Sequence, residues 1–217
     1  MNSEDARRVL GEHAAARDAW LAQTVADLAS TAKAVWQVGS FATGTADDWS
    51  DLDLILVGAK PPLESAALIA RVPGNGLADG DYVGAAYPVG PLLLGVDWYV
   101  WPADIPVPVE ARLLIGNGAR GELDLSSSLD RHGRGVPDGL PVDPRVSTLA
   151  MLPIVAKYVG RGAEDKAGAM IGWLGGDSGA DPVTQLRELL AATGDHHVLT
   201  PRISRLIDVA DALRRTR

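Results

Sequence analysis

Asp51-Leu52-Asp53-Leu54-Ile55-Leu56-Val57 is the stretch on which the fold turns. Side chains alternate along an extended strand, so Leu52, Leu54 and Leu56 share one face, and Asp51, Asp53, Ile55 and Val57 share the other. The later half is apolar on both faces, which predicts a strand covered on both sides. At its beginning two carboxylates stand side by side, with Cα atoms ~6.6 Å apart. Like charges at that spacing repel, and partial burial sharpens the repulsion. A divalent cation relieves both problems. Hard cations such as magnesium take oxygen ligands and keep water or phosphate as further ones. Asp51 and Asp53 are therefore candidate metal ligands; the plainer alternative is two solvated aspartates on an edge strand.

Upstream, Ala34 to Val38 is short and β-rich and ends at Gly39-Ser40. Glycine lets backbone approach a ligand closely, and N–H groups at a helix start bind phosphate. Gly39 and Ser40 are thus candidate phosphate contacts, with an ordinary turn as the alternative. Downstream, Asp97 is the only charge between Pro91 and Pro102. A lone carboxylate in such a run needs a partner, either backbone N–H groups or a cation. Strand parity puts Asp97 with Leu93, Gly95, Tyr99 and Trp101, and Gly95 leaves space beside it for a ligand.

The rest of the chain frames these residues. A long helix is predicted from Ser3 to Ala32, with Ser3 as N-cap and a stripe of Leu10, Ala14, Leu21, Val25 and Leu28. Arg17 interrupts that stripe, so its first half is expected to be the less buried. Phe41 to Ser50 reads as a loop, with Asp47 and Asp48 solvated. Leu63 to Arg71 reads as a short helix, and Tyr82 to Tyr87 and Leu92 to Trp101 as strands. Pro102 to Asp143 is rich in Pro, Gly and charge and takes no assignment beyond a short strand at Leu113 to Ile115. Helices follow at Pro144–Val159, Ala163–Leu174, Pro182–Ala192 and Pro201–Arg215. Asp181-Pro182 and Thr200-Pro201 each put an N-cap residue before a first-turn proline. The expected fold is α+β. A small mixed sheet with flanking helices (residues 1–143) precedes an α-helical domain (144–217).

The chain has 217 residues, 47% of them hydrophobic, no cysteine and a formal net charge of −8. Disulfides, thiolate zinc sites and cysteine nucleophiles are excluded. The polar start lacks a signal-peptide core, and no apolar run reaches the ~18 residues that span a bilayer. A cytoplasmic protein with no membrane partner is expected. A nucleic-acid binder needs a basic surface, so no nucleic-acid partner is expected, and a cationic small molecule suits the acidic balance better.

Val38-Gly39-Ser40-Phe41-Ala42-Thr43-Gly44, then Trp49-Ser50-Asp51-Leu52-Asp53-Leu54, then Asp97 on a later strand, resembles the DNA polymerase β-like nucleotidyltransferase superfamily. The resemblance covers roughly residues 34 to 101. It implies two metal-binding aspartates, Asp51 and Asp53. The third, Asp97, would ligate metal or assist the attacking hydroxyl, and Gly39-Ser40 would contact the triphosphate. Lys157-Tyr158-Val159-Gly160-Arg161-Gly162 is similar to the helical domain of aminoglycoside- and lincosamide-type antibiotic nucleotidyltransferases, which implies a triphosphate-facing role for Lys157 and points to antibiotic resistance. Glu164 and Asp165 are the candidates for that group's extra acidic base. The expected cofactor is Mg2+ at a two-metal site, with ATP as the triphosphate and a small hydroxylated acceptor. An antitoxin-type enzyme modifying a protein, and a non-catalytic nucleotide-binding module, are the alternatives. Lower-ranked residues are Arg131 and Arg134 as phosphate contacts, Trp98 and Trp101 as cleft or core, and His196 and His197 at the surface.

Overall fold

The computed structural model describes residues 1–135 and 143–216, so 136–142 of the unassigned Pro- and Gly-rich stretch lie outside the described residues. Two compact units make up the chain. The first to consider comprises Asp18–Tyr87 and Leu94–Pro141 and holds the sheet; the second comprises Met1–Arg17, Pro88–Leu93 and Val142–Arg217.

The strands are β1 (Ala34–Val38), β2 (Leu52–Val57), β3 (Leu68–Ala70), β4 (Asp81–Tyr87), β5 (Leu94–Trp101) and β6 (Arg112–Gly116). They form one mixed sheet in the order β3-β4-β5-β2-β1-β6. Among the described strands the β2–β5 pair is parallel and the other pairs are antiparallel. An α+β fold is thus what the molecule has. The apolar run of β2 explains its inner place, because Leu52, Leu54, Leu56 and Ile55 are fully buried and need cover on both faces.

One face carries a core of Ala34, Trp36, Val38, Ile55, Val57, Tyr82, Tyr99 and Trp101. Leu129 of a helix at Leu125–His132 closes it. The other face presents Trp98, against which Trp20 of the first helix (α1, Ser3–Leu28) packs with ring centroids 6.3 Å apart. Trp98 and Trp101 are therefore core residues, at 0% and 2% exposure.

Several expectations are corrected. Leu63–Arg71 is not a helix; Leu68–Ala70 pairs with β4, and Ala67 N–H donates to Ala86 at 2.8 Å. An open sheet edge offers backbone partners that outweigh the helix preference of a few alanines. α1 stops at Leu28, and its N-terminal cap is Asn2, whose side-chain oxygen accepts from Asp5 N–H at 2.8 Å. Its first half is the more buried one: Ala6, Val9, Leu10, His13, Ala14 and Arg17 are buried there, against Thr24 and Leu28 later. Arg17 extends the stripe rather than interrupting it.

The second unit is helical, with α4 (Pro144–Arg161), α5 (Glu164–Trp173), α6 (Pro182–Ala192) and α7 (Leu199–Arg214); α2 is Gly39–Thr43 and α3 Leu125–His132. Asp181 caps α6 as expected, accepting from Thr184 N–H at 2.9 Å. α7, however, begins at Leu199, so Pro201 lies inside the first turn, where a missing N–H is harmless. Thr200 instead accepts from His196 N–H at 2.9 Å. Arg202 ties the short 88–93 segment to this unit by donating to Gly90 and Leu92 carbonyls at 2.7 and 2.8 Å. No helix among the described residues is long and apolar enough to cross a membrane.

Candidate active site

The register of the sheet lines up a single row of residues. Val38 faces Asp53, Asp53 faces Asp97, and Asp97 faces Gly84. Two carboxylates thus meet directly across the parallel β2–β5 pair. Asp51 precedes β2, and Gly95 N–H donates to its Oδ1 at 3.0 Å. A Cβ at Gly95 would stand 2.6 Å from that same oxygen. The space beside Gly95 is therefore filled by the Asp51 carboxylate, not left for a ligand. The parallel register sets this, since Leu52 opposes Val96 and so puts Asp51 beside Gly95.

Asp53 is the electrostatic centre. Its carboxyl is pushed up from 3.8 to about 7, first by burial, then by the negative charge of Asp97, then by that of Asp51. Gly39 lies against it. The glycine has φ +65, and a Cβ there would come within 2.1 Å of Asp53 Oδ2. Glycine is demanded twice, by the left-handed conformation and by the contact. The chain then turns into the five-residue α2, which carries Ser40, and Ser40 C=O accepts from Thr45 N–H at 2.9 Å. Phe41 to Thr43 are consequently helical rather than loop. Asp47 and Asp48 are exposed as expected, but Asp47 also builds the approach to Asp51 by accepting from Trp49 N–H at 3.1 Å and Ser50 Oγ at 2.9 Å.

Oxygen donors from three carboxylates are of the kind hard divalent cations take. Among the described residues, no group of three or more His, Cys, Asp or Glu side chains is placed so that it could hold a metal ion. What fits a hard cation is the donor type of the facing Asp53 and Asp97 carboxylates, with water or phosphate left to complete the shell.

Tyr82 is the residue that sequence reasoning missed. Its hydroxyl donates to Asp97 Oδ1 at 2.7 Å. Burial, then Asp97, raises its pKa, so it stays a donor. The strand itself was legible, but the β4–β5 register that aims Tyr82 at Asp97 was not.

Lys157 lies buried in α4 of the helical unit, at 5% exposure. Glu164 and Asp165 open α5 and border a pocket of about 470 Å3 with Ser178 and Pro182. Arg134 is engaged by Asp130 at 2.6 Å and by the Gly74 carbonyl at 2.8 Å, and Arg131 lies in the last turn of α3. His197 is exposed and stacks on His196, centroids 5.5 Å apart.

Residues 19–86 match the family model for a nucleotidyltransferase domain. The match runs from within α1 almost to the end of β4, so it takes in Gly39, Ser40, Asp51 and Asp53. It supports transfer of a nucleoside monophosphate, and a transferase activity, in general terms. A nucleotide is the substrate the domain implies. Asp97, Lys157 and the helical unit lie beyond the matched segment. No curated protein matches the chain.

Proposed function

We propose that this nucleotidyltransferase-type domain moves a nucleoside monophosphate, with ATP as donor, onto a hydroxyl of a small and cationic molecule, releasing pyrophosphate. The observation that carries the proposal is the pairing of Asp53 with Asp97 across β2 and β5, with the Gly39 turn against Asp53. The acceptor oxygen attacks the α-phosphorus in line, and the bond to the β-phosphate oxygen breaks. Asp97 stands nearest the acceptor and orients its hydroxyl, whose proton passes to the carboxylate or to water. Backbone at Gly39-Ser40 meets the triphosphate, and Lys157 pairs with its charge. Asp51, Asp53 and Asp97 would hold the cations. When bound, two magnesium ions supply charge neutralisation on the phosphates and a template for in-line geometry. Positioning and electrostatics then do the catalytic work.

Residues 1–143 form the catalytic part in this proposal, and 144–217 bind nucleotide and acceptor. The net charge of −8 supports a cationic acceptor of the aminoglycoside kind. The test is incubation with each of the four triphosphates, Mg2+, and a panel of aminoglycosides and lincosamides. Pyrophosphate release and a product heavier by one nucleoside monophosphate are expected. Triphosphate binding without pyrophosphate release for any acceptor would favour a binding module instead.

A further inference from the structure

The hydroxyl of Tyr82 is built into the row of carboxylates by three neighbours. β4 pairs with β5 so that Gly84 faces Asp97 and Tyr82 faces Tyr99. Tyr82 is therefore diagonal to Asp97, within reach of a long side chain. Gly84 keeps the path open: a Cβ there would stand 3.3 Å from the Tyr82 hydroxyl and 3.5 Å from Asp97 Oδ1. The phenol ring is buried and packs on Tyr99 with centroids 5.3 Å apart, which restricts its swing. The Asn75 side chain lies close to the same hydroxyl and acts against the rise of its pKa. The phenol directs its one proton to Asp97 Oδ1 at 2.7 Å.

We infer that Tyr82 is a positioning residue, holding the plane of the Asp97 carboxylate so that the aspartate is preorganised for a divalent cation. The inference rests on the reading of Asp51, Asp53 and Asp97 as a cation site. A carboxylate tied at one oxygen loses rotation about its Cβ–Cγ bond, so less ordering remains to be done when an ion arrives. A purely structural tyrosine would satisfy the same hydrogen bond and leave ion affinity unchanged.

Mn2+ titrated into the full-length chain, with the free-ion EPR signal as readout, separates the two. Wild type, Tyr82→Phe, Asn75→Ala and Asp97→Asn are compared, and thermal melts are run on each. Tyr82→Phe is expected to weaken Mn2+ binding about 10-fold, with Asp97→Asn weaker still and Asn75→Ala shifted in the same direction by about 3-fold. Tyr82→Phe binding as tightly as wild type, while Asp97→Asn binds less, overturns the inference and leaves the cation site standing. Wild type binding no better than Asp97→Asn overturns the cation reading itself, and this inference with it. Should Tyr82→Phe fail to fold, Asn75→Ala decides, and wild-type affinity in that variant overturns the inference.

Discussion

Two rows of the same sheet face, one pleat repeat apart, behave in opposite ways. Trp36, Ile55, Tyr99 and Tyr82 are aligned across β1, β2, β5 and β4 and close a core. Val38, Asp53, Asp97 and Gly84 are aligned across the same strands and set two carboxylates against each other. The first row gains by burial, about 25 cal/mol per Å2 of apolar surface. The second works against the fold, because an ionised Asp53 is disfavoured by burial and by both neighbouring aspartates. Strands anchored by the apolar row can carry an unfavourable row beside it, which is how strained functional groups persist in a stable domain.

The largest expected effect falls on the charged row. Asp97→Asn should lower the rate of nucleotidyl transfer by roughly 10²–10⁴-fold while nucleotide affinity changes little. Steady-state kinetics beside equilibrium triphosphate binding measures both, and full activity in the Asn variant would break the assignment. On the apolar row the order reverses. Ile55→Ala, at a fully buried position, should cost about 2–5 kcal/mol in urea denaturation. A loss below ~1 kcal/mol would mean that the row does not anchor the strands.

The comparison sharpens through pH. Asp53 has a folded-state pKa of about 7 against 3.8 for the free group. A raised carboxyl pKa means that the folded state holds the proton more tightly than the unfolded chain does. The penalty is thus absent below about pH 4, grows as pH rises toward about 7, and levels off above. Asp53→Asn should therefore stabilise the protein in EDTA by on the order of 2–4 kcal/mol at pH 8, with a much smaller gain near pH 4. A gain independent of pH, or a loss at pH 8, contradicts the electrostatic account. The smallest effect belongs to the helical unit: Lys157→Ala should weaken triphosphate binding roughly 10-fold without unfolding the protein. Calorimetric titration of nucleotide into the variant is the measurement, and unchanged affinity removes Lys157 from the site.

Much of this was readable along the chain. The two-faced apolar run at Leu52–Val57, the short strand before Gly39 and the Pro-led start of α6 are local patterns, and local patterns are what a sequence displays. Other features failed for physical reasons. Leu63–Arg71 has helix-forming composition, yet the edge of β4 recruits Leu68–Ala70 as a strand. Gly95 had the look of space kept for a ligand, and that space holds the Asp51 carboxylate.

By itself, then, the sequence determined which residue types line the site and on which strand face each lies, because parity is a property of a single strand. Only the tertiary structure decided which strands are neighbours and in what register. That brought Asp53 opposite Asp97, set Gly39 against Asp53, and aimed Tyr82 at Asp97. Register arises from the summed packing of both sheet faces and from hydrogen bonds between segments far apart in the chain, and no short stretch of residues contains either.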